Sequence, residues 1–283
     1  MSSISSNAFK TPISLSLRIW LGIEILFGIA AIGAVFARPE ATATNFAWTI
    51  KPTVMAATFG AFYLSVGLLF VLGAVARRWQ QVRVVSIPAA VFTAFMLLTT
   101  FLHWDKFTIG TLPFYVWFVS YLLPPPIFAL LYRLHQHRSA PIGLGRTRPL
   151  ARPIRRFFLM NGLVLVSLAL LIYLFPILLI AIAPWTFTPL TARTLCGWLI
   201  GVSLLEVWIA WEGDWQRVKI GTAMLVILPF ALIFQLVRFR SEVQWNNMPL
   251  WMLLVDFSIA SLLCLALWFG FETNIAKSDK ILR

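Results

Sequence analysis

Three carboxylates stand inside otherwise apolar runs: Glu24 in LGIEILFG, Glu206 in SLLEVWIA and Asp256 in LLVDFSIA. A carboxylate near the centre of a bilayer costs about 2.5–3.5 kcal/mol on insertion scales. Each therefore asks for a role, such as carrying a proton, holding a cation or accepting hydrogen bonds from a solute or a neighbouring helix. A second constellation, His103 and Asp105 in LHWDKF, has the residue types of an outer gate, a proton-sensitive pair or part of a metal site. Zinc takes three or four ligands, and Asp256 is the one obvious third by depth, so no metal site is assigned and the cofactor is left unknown. The chain has no HExxH, no phosphate-binding glycine loop and no Gly-x-Ser-x-Gly, and Cys196 and Cys264 form no CxxC pair. Common hydrolase, nucleotide-binding and disulfide-exchange chemistries are thereby set aside.

The elements that must position these groups are apolar blocks of about 20 residues, long enough to cross roughly 30 Å of hydrocarbon as helices rising 1.5 Å per residue. Of 283 residues, 60% are hydrophobic and 12% charged, against about 25% charged in a soluble domain. The expectation is an all-α membrane protein with eight spans, near 18–37, 53–76, 84–103, 113–132, 157–181, 190–211, 218–237 and 249–271. Spans of this length satisfy their own backbone as helices, not strands. Glu24 then lies about 9 Å along its helix from Arg18, and Asp256 roughly 10 Å inside Pro249. The three prolines at 124–126 must bend or break the fourth span, and Pro176 and Pro229 are expected to interrupt the fifth and seventh. The first span resembles a secretory signal followed by "ATA" at 41–43, but its apolar run of about 18 residues is too long for one.

A net charge of +13 invites a nucleic-acid reading, and the placement of the charges argues against it. With a cytoplasmic N-terminus, the outer segments hold Arg38, Lys51, Lys106, Arg193, Arg238 and Arg240, and the other 17 of the 23 Lys and Arg fall inside. That is the positive-inside pattern. Both termini are then cytoplasmic, with a tail at 1–13, a basic linker at 135–154 and a second tail at 273–283. Arg146, Arg148, Arg152, Arg155 and Arg156 are the expected contacts to anionic inner-leaflet lipid, and His135 and His137 are expected to lie in water. The location this implies is the cytoplasmic membrane of a bacterium.

The chain also repeats itself. At an offset of 137 residues Arg18 meets Arg155, Pro39 meets Pro176, Trp48 meets Trp185, Pro52 meets Pro189 and Gly60 meets Gly197. At an offset of 136, Trp79 meets Trp215, Gln80 meets Gln216, Val82 meets Val218, Arg83 meets Lys219 and Pro113 meets Pro249. Residues 14–134 and 155–272 thus read as two parallel four-helix repeats, since four spans return the chain to its starting side. The shared RWQQVR and DWQRVK connectors are expected to be interfacial, with Trp at the headgroups and Arg or Lys facing them. In WTFTP, Thr188 reads as an N-cap and Pro189 as the first turn of the next helix. These motifs (Trp-Thr-x-x-Pro, Trp-Gln-x-Val and LHWDKF) resemble those of uncharacterised bacterial integral membrane proteins with a duplicated four-helix unit. The resemblance implies a fold and carries no activity.

Glu24 corresponds to Asn161, so that position is polar in both repeats, whereas Glu206 and Asp256 match an apolar position and Ser120. The leading expectation is carriage of a small solute, ion or lipid-like molecule through a site between the repeats, lined by Glu24, Asn161, Glu206 and Asp256. Protonation of a carboxylate would couple to movement. Second comes a non-catalytic membrane subunit or scaffold bound to a protein partner or to copies of itself. A membrane enzyme is third, because no catalytic constellation assembles.

Overall fold

The computed structural model describes residues 11–139, 141–142 and 144–281, with side chains to Glu272. Most of the expected N-terminal tail, Lys10 included, and the side chains of Lys277, Lys280 and Arg283 lie outside the described residues. Eight helices are long and apolar enough to cross a membrane: α1 (Leu15–Ala37), α2 (Thr53–Val75), α3 (Trp79–Leu102), α4 (Leu112–Gln136), α5 (Arg152–Leu174), α6 (Pro189–Glu212), α7 (Trp215–Arg238) and α8 (Met248–Glu272). The chain is a multi-pass membrane protein, and no strand is found among the described residues. The helix of α8 continues to Ile281, through much of the stretch expected to be a tail.

The helix ends follow local chemistry. Ser14 caps α1 by accepting from the Leu17 amide at 3.2 Å, and Thr188 caps α6 by accepting from Thr191 at 3.2 Å, with Pro189 at its first position. Gly213 closes α6 at φ +54°, the left-handed conformation in which glycine carries no Cβ penalty. The three prolines break α4 at Leu123 into segments Leu112–Leu122 and Pro124–Gln136. Pro229 does not interrupt α7, which runs unbroken from Trp215 to Arg238, as α3 does through Pro88. A proline inside a packed spanning helix is accommodated when its neighbours support the backbone around it. α5 ends at Leu174, so Pro176 falls beyond it.

α2, α3, α6 and α7 form the centre, with α2 against α7 and α3 against α6; α1, α4, α5 and α8 flank them. The most hydrophobic window of α2 is 83% buried and that of α5 22%. Contacts at the two ends of the offset match. The Trp79 amide donates to the Thr11 carbonyl at 2.9 Å and the Trp215 amide to the Arg148 carbonyl at 2.8 Å. Their indoles donate to Gln136 at 3.4 Å and Glu272 at 3.0 Å.

The Trp-Gln connectors correct the interfacial expectation. Trp79 and Trp215 are buried, and Arg83 is fully enclosed with Glu212 as its counter-ion rather than facing headgroups. His135 is also buried, not solvated. It stacks on Trp79 at 4.9 Å between ring centroids, and its Nε2 accepts from the Ser14 amide at 3.3 Å. These groups sit in the first turns of α3 and α7 and the last turn of α4, where their hydrogen bonds to one another replace water.

Candidate functional site

On α1, Leu17, Leu21, Glu24 and Gly28 recur every three or four residues and share the buried face. That face carries Glu24 into a cavity of about 200 Å³ enclosed by α1–α4 and by Trp198 of α6. Gly28 leaves room beside it, since a Cβ there would first meet Gly67 at 4.0 Å. Glu24 is 5% exposed, and its Oε1 has no hydrogen-bond partner. Two further buried polar atoms on the same lining also lack partners, Asn45 Oδ1 and Trp198 Nε1.

The walls are aromatic. Phe92 and Trp198 lie 4.2 Å apart between centroids, Tyr63 meets Trp198 edge-on at 4.8 Å, and Trp117 meets Tyr121 at 4.4 Å. The Tyr63 and Tyr121 hydroxyls bond each other at 2.6 Å. The break in α4 adds acceptors, because Pro124 and Pro125 have no N–H to return to the carbonyls of Ser120 and Tyr121, both lining residues. The rim lies between α1 and α4, where Ala30 is exposed and Leu112 is 76% exposed. Inward, Val66, Phe70, Phe92 and Trp198 also border a small apolar pocket of about 30 Å³ that reaches Gly201 and Leu205 of α6 and Met224 of α7. The same four side chains thus stand between the cavity and the residues of α6 and α7 behind it.

The four residues expected to line one site divide into two groups. Asn161 of α5 donates through Nδ2 to Glu206 of α6 at 2.9 Å and to Asp256 of α8 at 3.4 Å. Glu206 is fully buried, and its other oxygen, Oε1, has no partner. None of these three lines the Glu24 cavity. An uncompensated buried charge is costly, so a second carboxylate beside Glu206 makes this cluster a place where protons or cations matter.

His103 and Asp105 do not pair as expected. His103 Nε2 faces Arg193 Nη1 at 2.9 Å, while Asp105, 71% exposed at its side chain, pairs with Lys106 at 2.8 Å. Burial, then the Arg193 charge, lowers the His103 pKa, and the hydrogen bond from Lys106 lowers that of Asp105. Among the described residues no three His, Cys, Asp or Glu side chains come together as metal ligands, so Asp256 does not complete a set with this pair.

Of the five arginines expected on lipid, Arg152 and Arg156 are exposed in the first turn of α5. Arg146 and Arg155 instead satisfy the last carbonyls of α6, Arg146 bonding Glu212 O at 2.8 Å and Arg155 bonding Ala210 O at 3.0 Å. Arg18 does the same for α2 at Ala74 O, 2.6 Å away. The Arg148 amide donates to Asp214 at 2.7 Å. The cavity aromatics Tyr63, Tyr121 and Trp198 were not expected, because an aromatic residue inside an apolar helix carries no signal of its own. No family model, curated protein or solved structure matches the chain.

Proposed function

We propose that the protein carries a small lipid-like molecule, with an apolar body and a hydrogen-bond-donating amine or hydroxyl head, through the Glu24 cavity. The observation that supports this most is Glu24 Oε1, a buried acceptor without a partner, aimed among aromatic walls. With Asn45 Oδ1 it gives the lining two unpartnered acceptors beside one unpartnered donor, Trp198 Nε1, so a head that donates to the carboxylate suits it best. A 150 Å³ apolar cavity accommodates benzene, so about 200 Å³ suits one ring with a short polar arm. The rim between α1 and α4 and the broken helix favour passage over permanent lodging, because interrupted helices are where carriers bind their cargo.

The finer architecture belongs to the same reading: two parallel four-helix repeats of the duplicated family, both termini cytoplasmic, in a bacterial cytoplasmic membrane. The contacts recurring at 136–137 residues support it, and exposed Arg152 and Arg156 are free to meet anionic lipid in this reading. In this reading the Asn161–Glu206–Asp256 cluster is the charge-sensitive counterpart of the cavity in the other repeat. The alternative, a non-catalytic subunit that binds a protein partner or a second copy, draws on α5, the least buried of the eight helices.

Gentle extraction followed by native mass spectrometry and organic extraction tests the proposal. Wild-type protein is expected to retain a donor-bearing small molecule that Glu24→Gln loses at least tenfold while keeping its melting temperature. Equal retention by both would remove Glu24 from the site, and a stoichiometric protein partner in place of a small molecule would favour the subunit reading.

A further inference from the structure

At the arginine-rich end, Arg77, Arg78, Arg148 and Lys219 surround a recess of about 340 Å³ at the seam of the two halves. Among the described residues its one carboxylate, Glu272, is already engaged by Lys219 at 2.9 Å and by the Trp215 indole at 3.0 Å. Among the described residues, the guanidinium groups of Arg77, Arg78 and Arg148 are in no ion pair. The recess therefore holds a surplus of positive charge.

A comparison at the repeat offset sharpens this. Arg83, 136 positions before Lys219, is neutralised by Glu212 from the other half of the chain. The residue 136 positions before Glu212 is Ala76, which brings no carboxylate to the Lys219 side. On the Arg83 side the anion is buried with its cation, whereas on the Lys219 side the single described carboxylate, Glu272, faces four cations.

The position of the recess selects the source. It lies where α3 and α7 begin, and α8 ends its apolar stretch at Glu272, which is the depth of headgroups. From Glu272 an apolar groove of about 390 Å³ runs toward the membrane interior between α7 and α8, past Ala223, Val226 and Leu265, with Leu68 of α2 beside it. Lys219 sits 4.6 Å over the Trp268 ring where recess and groove meet. We infer that one anionic glycerophospholipid binds here, its phosphate held by Arg77, Arg78, Arg148 and Lys219 and one acyl chain laid in the groove.

The test is native mass spectrometry of the full chain titrated with phosphatidylglycerol, with phosphatidylcholine of the same chains, and with glycerol 3-phosphate. One phosphatidylglycerol per chain is expected to bind at least tenfold more tightly than phosphatidylcholine. Replacing Arg77 and Arg78 by Gln should weaken it roughly fivefold per cation removed, and Ala223→Trp should weaken both lipids by obstructing the groove. Melting temperatures without added lipid control for folding; Arg148→Gln alone is the milder variant if the double change unfolds. Equal affinity for the two lipids, or Arg variants that bind like wild type, would overturn the proposal. Glycerol 3-phosphate binding as tightly as the intact lipid would overturn it too, by making a free phosphate ester the ligand. Glu24→Gln should leave phosphatidylglycerol binding unchanged, which keeps this site separable from the cavity.

Discussion

His103 shows how one side chain is set by its neighbours. Neutral, its Nε2 can accept from Arg193; protonated, it would confront that guanidinium, with Lys106 adding to the repulsion and Asp105 opposing it. Its folded pKa is lowered, so the unfolded chain binds a proton first as pH falls. The stabilisation is complete above the usual histidine range and is lost as pH drops through it toward the folded value. Asp105, also lowered, acts in the same direction at more acidic pH. Thermal melts of wild type and His103→Gln between pH 7.5 and 5 should diverge, wild type losing stability relative to the variant as pH falls; a difference that does not change with pH would show that His103 does not titrate in this range. The sequence marked His103 as notable, and its partner was not legible, because Arg193 lies 90 residues away on a helix whose facing cannot be read from periodicity alone.

At the level of helices, α1 and α2 approach backbone to backbone. The last turns of α1 are a π-helix, Ile32–Ala37, laid against Gly60. A Cβ at Gly60 would lie 2.5 Å from Phe36 Cα and 2.7 Å from the Val35 carbonyl, both backbone atoms that cannot yield separately. Its offset mate Gly197 faces the end of Met96 instead, with Cε at 2.9 Å, a flexible side chain that can turn aside. Gly60→Ala should therefore cost about 1–3 kcal/mol, visible as a lower melting temperature, while Gly197→Ala should cost clearly less; equal losses would refute the distinction. Small residues let spanning helices approach in this way. The existence of the helices and the break at Leu123 were legible, because apolar block length and three missing N–H groups are local facts. The path of α7 through Pro229 was not, because packing against α2 and α8 decides it.

Across the whole molecule, the two halves are joined by a buried ion pair. Arg83 reaches both oxygens of Glu212, with Gln136 and Arg217 around them, and both charged side chains are 0% exposed. Removing one partner leaves the other charge buried and alone, so Glu212→Gln should cost about 3–5 kcal/mol. Arg83→Met combined with Glu212→Leu should recover much of that, since well-packed apolar replacements of buried pairs are often neutral. Melting of both variants in one detergent decides it, and a double variant no more stable than the single one would mean that the pair's neighbours, not its charges, hold the seam. In the sequence Arg83 reads as a residue facing the headgroups, and nothing there singles out Glu212 as its partner. Their meeting depends on α3 packing against α6, which nothing local announces. The carboxylate pairing was partly legible: Asn161 and Asp256 meet on one half, and their offset mates Glu24 and Ser120 share one cavity on the other.

The break at Leu123 divides the duties of α4. The inner segment carries Gln136, fastened to Trp79 and Arg83, and His135, stacked on Trp79. The outer segment carries Ser120, Tyr121 and Trp117 as the cavity wall. With no N–H on three successive residues, no helical hydrogen bonds run from Pro124, Pro125 or Pro126 back into the outer segment. The cavity wall and the anchor at the seam are thus two pieces of one span, and the wall takes its position from its own ties, the Trp117 indole on Thr100 and the Tyr121 hydroxyl on Tyr63, not from the helix below it.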